Sequence, residues 1–222
     1  VVRREVAAAL LTHHRVEALV DPDDPTEQRT ATWSGLHREG LLRGVAGGKD
    51  RMIYARVASD APVEAPEGFR ALLNSFLPRK RAIGQMLVRD AEERVLMCQL
   101  TYKKDWDLPG GIVEVGESPK LATTREIEEE LALVLPAGDL LLTDWLPPWG
   151  GWDDAVCLVF DGGVHPSSIV DRTTLQPREI RSVAFCTLDE VRERAADFTA
   201  RRVEAALAAL RGGPGYTESG RP

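Results

Sequence analysis

The sequence predicts an α+β chain in which a helical appendage, residues 1–66, precedes a larger domain, residues 67–211, and a tail, residues 212–222. Three observations lead there. Short apolar runs with strand-like alternation fill the second part of the chain. Only one central and one terminal helical pattern interrupt them, so few β-α-β units are available. Ala61-Pro62-Val63-Glu64-Ala65-Pro66 reads as a linker between the two parts. With 222 residues, 43% of them hydrophobic and 28% charged, the chain has material for a full core.

Val2 to His13 patterns as an amphipathic helix carrying Val6, Ala9 and Leu10. Asp21-Pro22-Asp23-Asp24-Pro25 breaks the chain. Asp24 then caps a second helix with Pro25 at its first position, continuing to about Glu39, where Gly40 ends it. Arg51 to Val57 alternates as a half-buried strand. Two helices, a Gly-rich turn and a strand suggest a winged-helix module, yet residues 1–66 hold nine Lys and Arg against ten Asp and Glu, with no basic stripe for a nucleic acid. A cap or a dimerisation arm is the expectation, and only the second of these implies a homodimer.

In the larger part, Glu67 to Leu73 is a short helix. Ala82 to Val88 and Arg94 to Leu100 are strands joined by the polar turn Asp90-Ala91-Glu92-Glu93. Asp107-Leu108-Pro109-Gly110-Gly111 leads into a short strand at Ile112-Val113. Further strands fall at about Leu140 to Leu146, Ala155 to Phe160 and Ile180 to Cys186, and helices at Asp189 to Ala195 and Thr199 to Leu210. Cys98, Cys157 and Cys186 each lie inside a β-type run, without metal spacing, and read as buried free thiols.

The most informative segment lies between these strands. Ser118 is an N-cap serine followed by Pro119, and the helix it opens is expected to run to about Leu133 before Pro136 forbids continuation. At about 100° per residue, Glu126, Glu129 and Glu130 share one face while Leu121, Thr124, Ile127 and Leu131 centre on the other. Acid pairs at this spacing destabilise an isolated helix by roughly 0.2–0.5 kcal/mol each, so something must compensate them. Mg²⁺, with Mn²⁺ as the alternative, fits such a ridge: it takes one or two carboxylates and fills its shell with water and phosphate oxygens. Arg125 can pair with Glu117 or Glu129 through a two-bond fork.

Gly111, five residues, Glu117, seven residues, then Arg125-Glu126-Ile127-any-Glu129-Glu130 resembles the Nudix box of the Nudix hydrolases. The resemblance implies an α/β/α sandwich around a mixed sheet. It also implies metal-dependent attack of water on phosphorus in a nucleoside diphosphate linked to another moiety. Glu126, Glu129 and Glu130 would be metal ligands or the base, Glu117 and Arg125 their supports, and a backbone carbonyl at Gly110 or Gly111 a further ligand. The family's box closes with glycine before its last aliphatic residue, where this chain has Ala132 before Leu133; a helix continuing through Leu133 is expected.

Outside the box, Trp149 and Trp152 in the loop Leu146 to Asp153 offer flat surfaces, either for stacking a base or for packing onto the N-terminal piece. Lys103 and Lys104 stand before the Pro-Gly-Gly turn, as reach for a terminal phosphate or as plain surface lysines. Glu179 is either an additional ligand or base, or an ordinary strand-edge acid. Pro148 stands at the distance of a proline found in ADP-ribose-cleaving members. The net charge of −7 discourages tight binding to a nucleic-acid backbone or an anionic membrane. No apolar run reaches the ~18 residues of a membrane span and no signal-peptide pattern opens the chain, so a cytoplasmic enzyme acting on a small diphosphate is expected. A ligand-sensing transcription regulator and a non-nucleotide, for example prenyl, diphosphate hydrolase are the alternatives.

Overall fold

The computed structural model describes residues 2–222, with Ala46 described by its backbone alone. The chain forms two compact units that divide at Arg79/Lys80. No helix among the described residues is long and apolar enough to cross a membrane.

The first unit runs α1 (Val2–Ala9), β1 (Arg15–Val20), α2 (Pro25–Trp33), β2 (His37–Ala46), β3 (Lys49–Val57) and α3 (Pro66–Phe76). Its antiparallel sheet has the order β1-β3-β2. Val6, Val20, Ala31, Leu36 and Tyr54 form its core. This unit is mixed α+β rather than mainly helical, which corrects the expectation in two places. Asp24 caps α2 as foreseen, accepting from the Thr26 and Glu27 amides, but the helix stops at Trp33. Gly35, at φ 82°, turns the chain so that Leu36 enters the core. His37–Ala46 then pairs with β3, where a helix to Glu39 had been expected. Arg15–Val20 buries alternate residues against the same core, a strand the sequence reading passed over. Helix α3 also belongs to this unit: Ser75 Oγ accepts from the Arg38 amide at 3.1 Å.

The second unit continues with β4 (Arg81–Arg89), β5 (Val95–Leu100), β6 (Trp106–Asp107), β7 (Gly110–Ile112), α4 (Pro119–Leu131), β8 (Leu140–Leu146), β9 (Ala155–Val164), a 3₁₀ turn at Ser167–Arg172, β10 (Ile180–Cys186), α5 (Leu188–Arg194), α6 (Asp197–Ala209) and β11 (Tyr216–Glu218). Its sheet has the order β10-β5-β4-β9-β8-β11, with β6 beside β5 and β7 beside β4. The β4–β9 and β8–β11 pairs are parallel and the others antiparallel, so the sheet is mixed. Residues alternate between its two faces. One face, through Met86, Val88, Leu96 and Cys98, packs on Ile127 and Leu131 of α4. The other, through Leu87, Met97, Leu142 and Val159, packs on α5 and α6 through Val191, Val203 and Leu207. This is an α/β/α sandwich. All three cysteines are free and buried.

Two features position the functional site. Strands β4 and β5 meet only at the hairpin end, Arg89 opposite Val95, and the space between them further along is taken by β6 and β7 and their Leu108-Pro109 turn. The segment 212–222, read from the sequence as a tail, supplies β11, which pairs with Thr143–Trp145 of β8 and buries Thr217.

Candidate functional site

Helix α4 opens as its sequence dictates, with Ser118 Oγ accepting from the Leu121 amide and Pro119 in the first turn. Its end departs from expectation. The helix stops at Leu131, and Ala132 adopts the left-handed conformation at φ 54°, ψ 31°. The cause is packing: Leu131, Leu133 and Leu135 are all buried, and only a reversal at Ala132 returns the chain to the core. The last carbonyls of α4 are satisfied from outside the helix, by the Gln176 amide on Glu130 O at 2.9 Å and the Thr174 amide on Leu131 O at 3.0 Å. These bonds draw the loop carrying Glu179 to the end of the acid ridge.

Arg125 is the centre of the ridge. Its Nε and Nη2 fork onto the two oxygens of Glu117 at 2.9 and 3.1 Å, and its Nη1 lies 2.9 Å from both Glu126 Oε1 and Glu129 Oε2. Nη2 also donates to the Ile112 carbonyl at 3.2 Å, tying the helix to β7. These contacts raise the guanidinium's pKa, with Glu117 the largest contributor. In turn, the hydrogen bond from Arg125 holds Glu117 below the usual carboxylate range.

Glu126 and Glu130 flank the Gly110-Gly111 backbone. A Cβ at Gly111 would stand 2.5–2.7 Å from the carboxyl atoms of Glu126, so glycine is required there for the carboxylate to approach. Glu130 is 5% exposed, and its Oε2 accepts from the Gly110 amide at 2.9 Å. Burial pushes the Glu130 carboxyl up to about 8; the Gly110 hydrogen bond opposes this, and the charges of Glu126, Glu179 and Asp107 add to it. Burial likewise raises Glu126, against the pull of Arg125 and with help from Glu129 and Glu179. Glu179 therefore lies within electrostatic reach of both.

The lysine pair divides. Lys103 Nζ is bound to Asp107 Oδ2 at 2.7 Å, whereas Lys104 is exposed. The tryptophan loop is a two-residue hairpin: Trp149 and Trp152 exchange both backbone hydrogen bonds around Gly150 and Gly151, which have φ of 57° and 87°. Both indoles are about 60% exposed, Trp149 at 62% and Trp152 at 59%. Trp149 meets Phe198 edge-on at 5.7 Å, and the Arg81 guanidinium lies 4.8 Å from the Trp152 ring centre.

Residues 78–207 match the family model of the NUDIX domain. The chain belongs to the NUDIX family. Among curated relatives, a MutT-like protein of Streptomyces ambofaciens is 32% identical over 126 residues, 57% of this chain and 75% of that protein. An RNA pyrophosphohydrolase of Rhodospirillum rubrum is 30% identical over 77 residues, 35% of this chain and 44% of its own length. Two solved structures share the fold. A MutT protein from Methanosarcina mazei Go1 has a TM-score of 0.50 at 21% identity, over 62% of this chain and 98% of that one. A UDP-X diphosphatase has a TM-score of 0.51 at 20% identity, over 72% and 77%. With its box residues intact apart from Ala132, this chain is a Nudix hydrolase.

Against the metal that a Nudix site implies, the geometry is mixed. Among the described residues no three acidic, His or Cys side chains stand together as a ligand cluster; Glu117, Glu126 and Glu129 converge on Arg125 instead. The donor chemistry nevertheless fits a hard divalent cation. Every candidate donor is an oxygen, and Glu126 and Glu130 are raised by burial and by neighbouring negative charge that a cation would neutralise.

Asp107, Gln85, Arg202 and Asp144, a buried polar group beside the site, escaped the sequence reading. Asp107 adjoins the Leu-Pro-Gly-Gly turn, which is a usable signal. Arg202 interrupts an otherwise small and apolar helix face, but nothing local announces its partner Asp144, 58 residues away in the chain.

Proposed function

We propose that this Nudix hydrolase cleaves the diphosphate bond of a nucleoside diphosphate linked to another moiety, with Mg²⁺ or Mn²⁺ held by Glu126, Glu130 and the carbonyl of Gly110 or Gly111, and Glu129 left as the base. The observation that carries this reading is the close setting of Glu126 and Glu130 on either side of the Gly110-Gly111 backbone, with Arg125 holding Glu117, Glu126 and Glu129 together. A divalent cation bound there supplies charge neutralisation for the phosphate oxygens and acidifies a water molecule.

The chain's own groups do the rest. Arg125 orients the acids and keeps Glu117 ionised. Glu129, the most exposed ridge carboxylate in contact with Arg125, takes the proton from the attacking water at its carboxylate oxygen. Glu179 is an additional ligand or base, supported by the Gln176 amide on Glu130 O at 2.9 Å, which brings its loop to the end of the acid ridge. Lys103 and Lys104 meet the phosphates, and the Trp149-Trp152 hairpin stacks the base. Phosphoryl transfer needs positioning and charge compensation more than covalent chemistry, which suits a site built from acids, lysines and an arginine clamp.

The test is a panel of ADP-ribose, nucleotide sugars, nucleoside triphosphates and prenyl diphosphates with Mg²⁺ or Mn²⁺, read by phosphate release and product mass. Cleavage of a nucleotide member, lost about 100-fold or more in Glu129→Gln with unchanged circular dichroism, is expected. Cleavage of prenyl diphosphates alone, or full activity in Glu129→Gln, would overturn the assignment.

A further inference from the structure

Thr217 lies on β11, beyond the residues matched to the family, yet it is fully buried. Its hydroxyl donates to Asp144 Oδ1 at 2.7 Å, and the Gly220 amide donates to the same oxygen at 2.8 Å. The other oxygen of Asp144 accepts from Arg202 Nε at 2.8 Å. Arg202, also buried, donates through Nη1 to Gln85 Oε1 at 3.1 Å and stands 3.9 Å from Asp107 Oδ1. Gln85 Nε2 donates to Asp107 Oδ1 at 2.9 Å. Asp107 finally binds Lys103 Nζ and accepts from the Leu108 amide at 2.9 Å. One continuous polar line thus crosses the sheet from β11 to the Leu108-Pro109-Gly110 turn, whose Gly110 amide meets Glu130.

The charges along it alternate: Asp144, Arg202, Asp107, Lys103. Buried charges interact strongly and tolerate little misplacement, because each must find its partners inside the protein. Arg202 Nη2 finds no hydrogen-bond partner among the described residues, so the hydrogen bonds that orient the guanidinium run through Nε and Nη1, with the Phe198 ring 5.7 Å away, and Asp144 fixes the first of these. Asp144 is held from the C-terminal side by Thr217 and Gly220. Glycine at 220 is itself dictated by contact with α6: its φ is +73°, and a Cβ would stand 2.6 Å from the Arg202 nitrogen.

We propose that Thr217 and Asp144 are positioning residues for the hydrolytic site, acting through Arg202 on Asp107 and so on Lys103 and the Leu108–Gly110 turn. The proposal uses the hydrolase reading only in its kinetic arm. Amide exchange followed by mass spectrometry tests it without turnover. Thr217→Val keeps the side-chain shape and loses the hydroxyl, whereas Thr217→Ser keeps the hydroxyl. Thr217→Val is expected to accelerate exchange over residues 105–111 by about fivefold or more while residues 119–131 of α4 stay at the wild-type rate, and Thr217→Ser to leave 105–111 unchanged. Acceleration confined to β8, β11 and α6, a uniform acceleration across the unit, or equal effects of both variants would each overturn the proposal.

The kinetic arm uses ADP-ribose with Mg²⁺ as the probe. Lys103→Met and Thr217→Val are each expected to raise KM more than they lower kcat, and the double variant to fall well short of the product of the two single effects, because both act through the Asp107–Lys103 contact. Multiplicative effects would refute the coupling. If the wild type cleaves no diphosphate, the hydrolase reading fails while the exchange comparison still decides the coupling.

Discussion

Replacing Glu130 by glutamine is expected to stabilise the second unit at pH 9 and leave it unchanged near pH 4.5, when divalent cations are removed by chelation. Glu130 is buried, with the Gly110 amide as its hydrogen-bond donor. Burial, reinforced by Glu126, Glu179 and Asp107, lifts its pKa from 4.5 to about 8. Between those values the folded chain holds a proton that the unfolded chain releases, so stability is fully present below 4.5 and is lost as pH rises through the folded value. The interval corresponds to about 5 kcal/mol of destabilisation once Glu130 is ionised. Glutamine keeps an oxygen for the Gly110 amide and carries no charge, so it escapes this cost. At 2–4 °C per kcal/mol for a chain of this size, the variant should melt roughly 10 °C or more above wild type at pH 9 and within about 2 °C of it near pH 4.5. Calorimetry in chelator at the two pH values is the assay, following the transition of the Lys80–Pro222 unit. An equal difference at both pH values, or a less stable variant at pH 9, would refute the reasoning. The same variant should lose hydrolysis, since a group that destabilises the fold at working pH is retained for function.

Three further outcomes are expected. Ala132→Gly relieves the left-handed strain at φ 54° and should gain about 1 kcal/mol, a rise of roughly 2–4 °C in Tm, with kcat unchanged; a lower Tm would show that the conformation is unstrained. Arg125→Lys keeps the charge but cannot fork onto Glu117 while also reaching Glu126 and Glu129, so steady-state kinetics should show a loss of kcat of about 10²-fold, and near-wild-type turnover would remove the clamp from the mechanism. Trp152→Ala should raise KM for a nucleotide substrate by about tenfold, in line with roughly 1–3 kcal/mol per stacked base, and leave Tm within about 2 °C; an unchanged KM would make the hairpin structural.

Much of the second unit was legible because its signals are local. The apolar runs at Ala82 to Val88 and Ile180 to Cys186, the Ser118-Pro119 cap and the Glu126-Glu129-Glu130 spacing each specify structure within a few residues. The misreadings arose where distant packing decides. Leu36 being buried turns residues after Trp33 into a strand, and the pairing of Tyr216–Glu218 with β8 depends on Asp144 receiving Thr217. At Ala132 the demand of Leu131, Leu133 and Leu135 for the core overrides the helix propensity of alanine, which no local pattern reveals. The helical spacing placed Glu126, Glu129 and Glu130 on one face, but it did not reveal that Glu117, Glu126 and Glu129 gather on Arg125. Asp107 and its buried partners were missed because their contacts join β6, β4, α6 and β8.

Attack of water on phosphorus at the acid ridge is tested most directly by hydrolysis in ¹⁸O-labelled water, with Mg²⁺ present and the products read by mass. One labelled oxygen on a phosphate of the product, abolished by chelator and by Glu129→Gln, is the expected result. Cleavage that leaves every phosphate unlabelled, or label uptake that persists undiminished in Glu129→Gln, would contradict it.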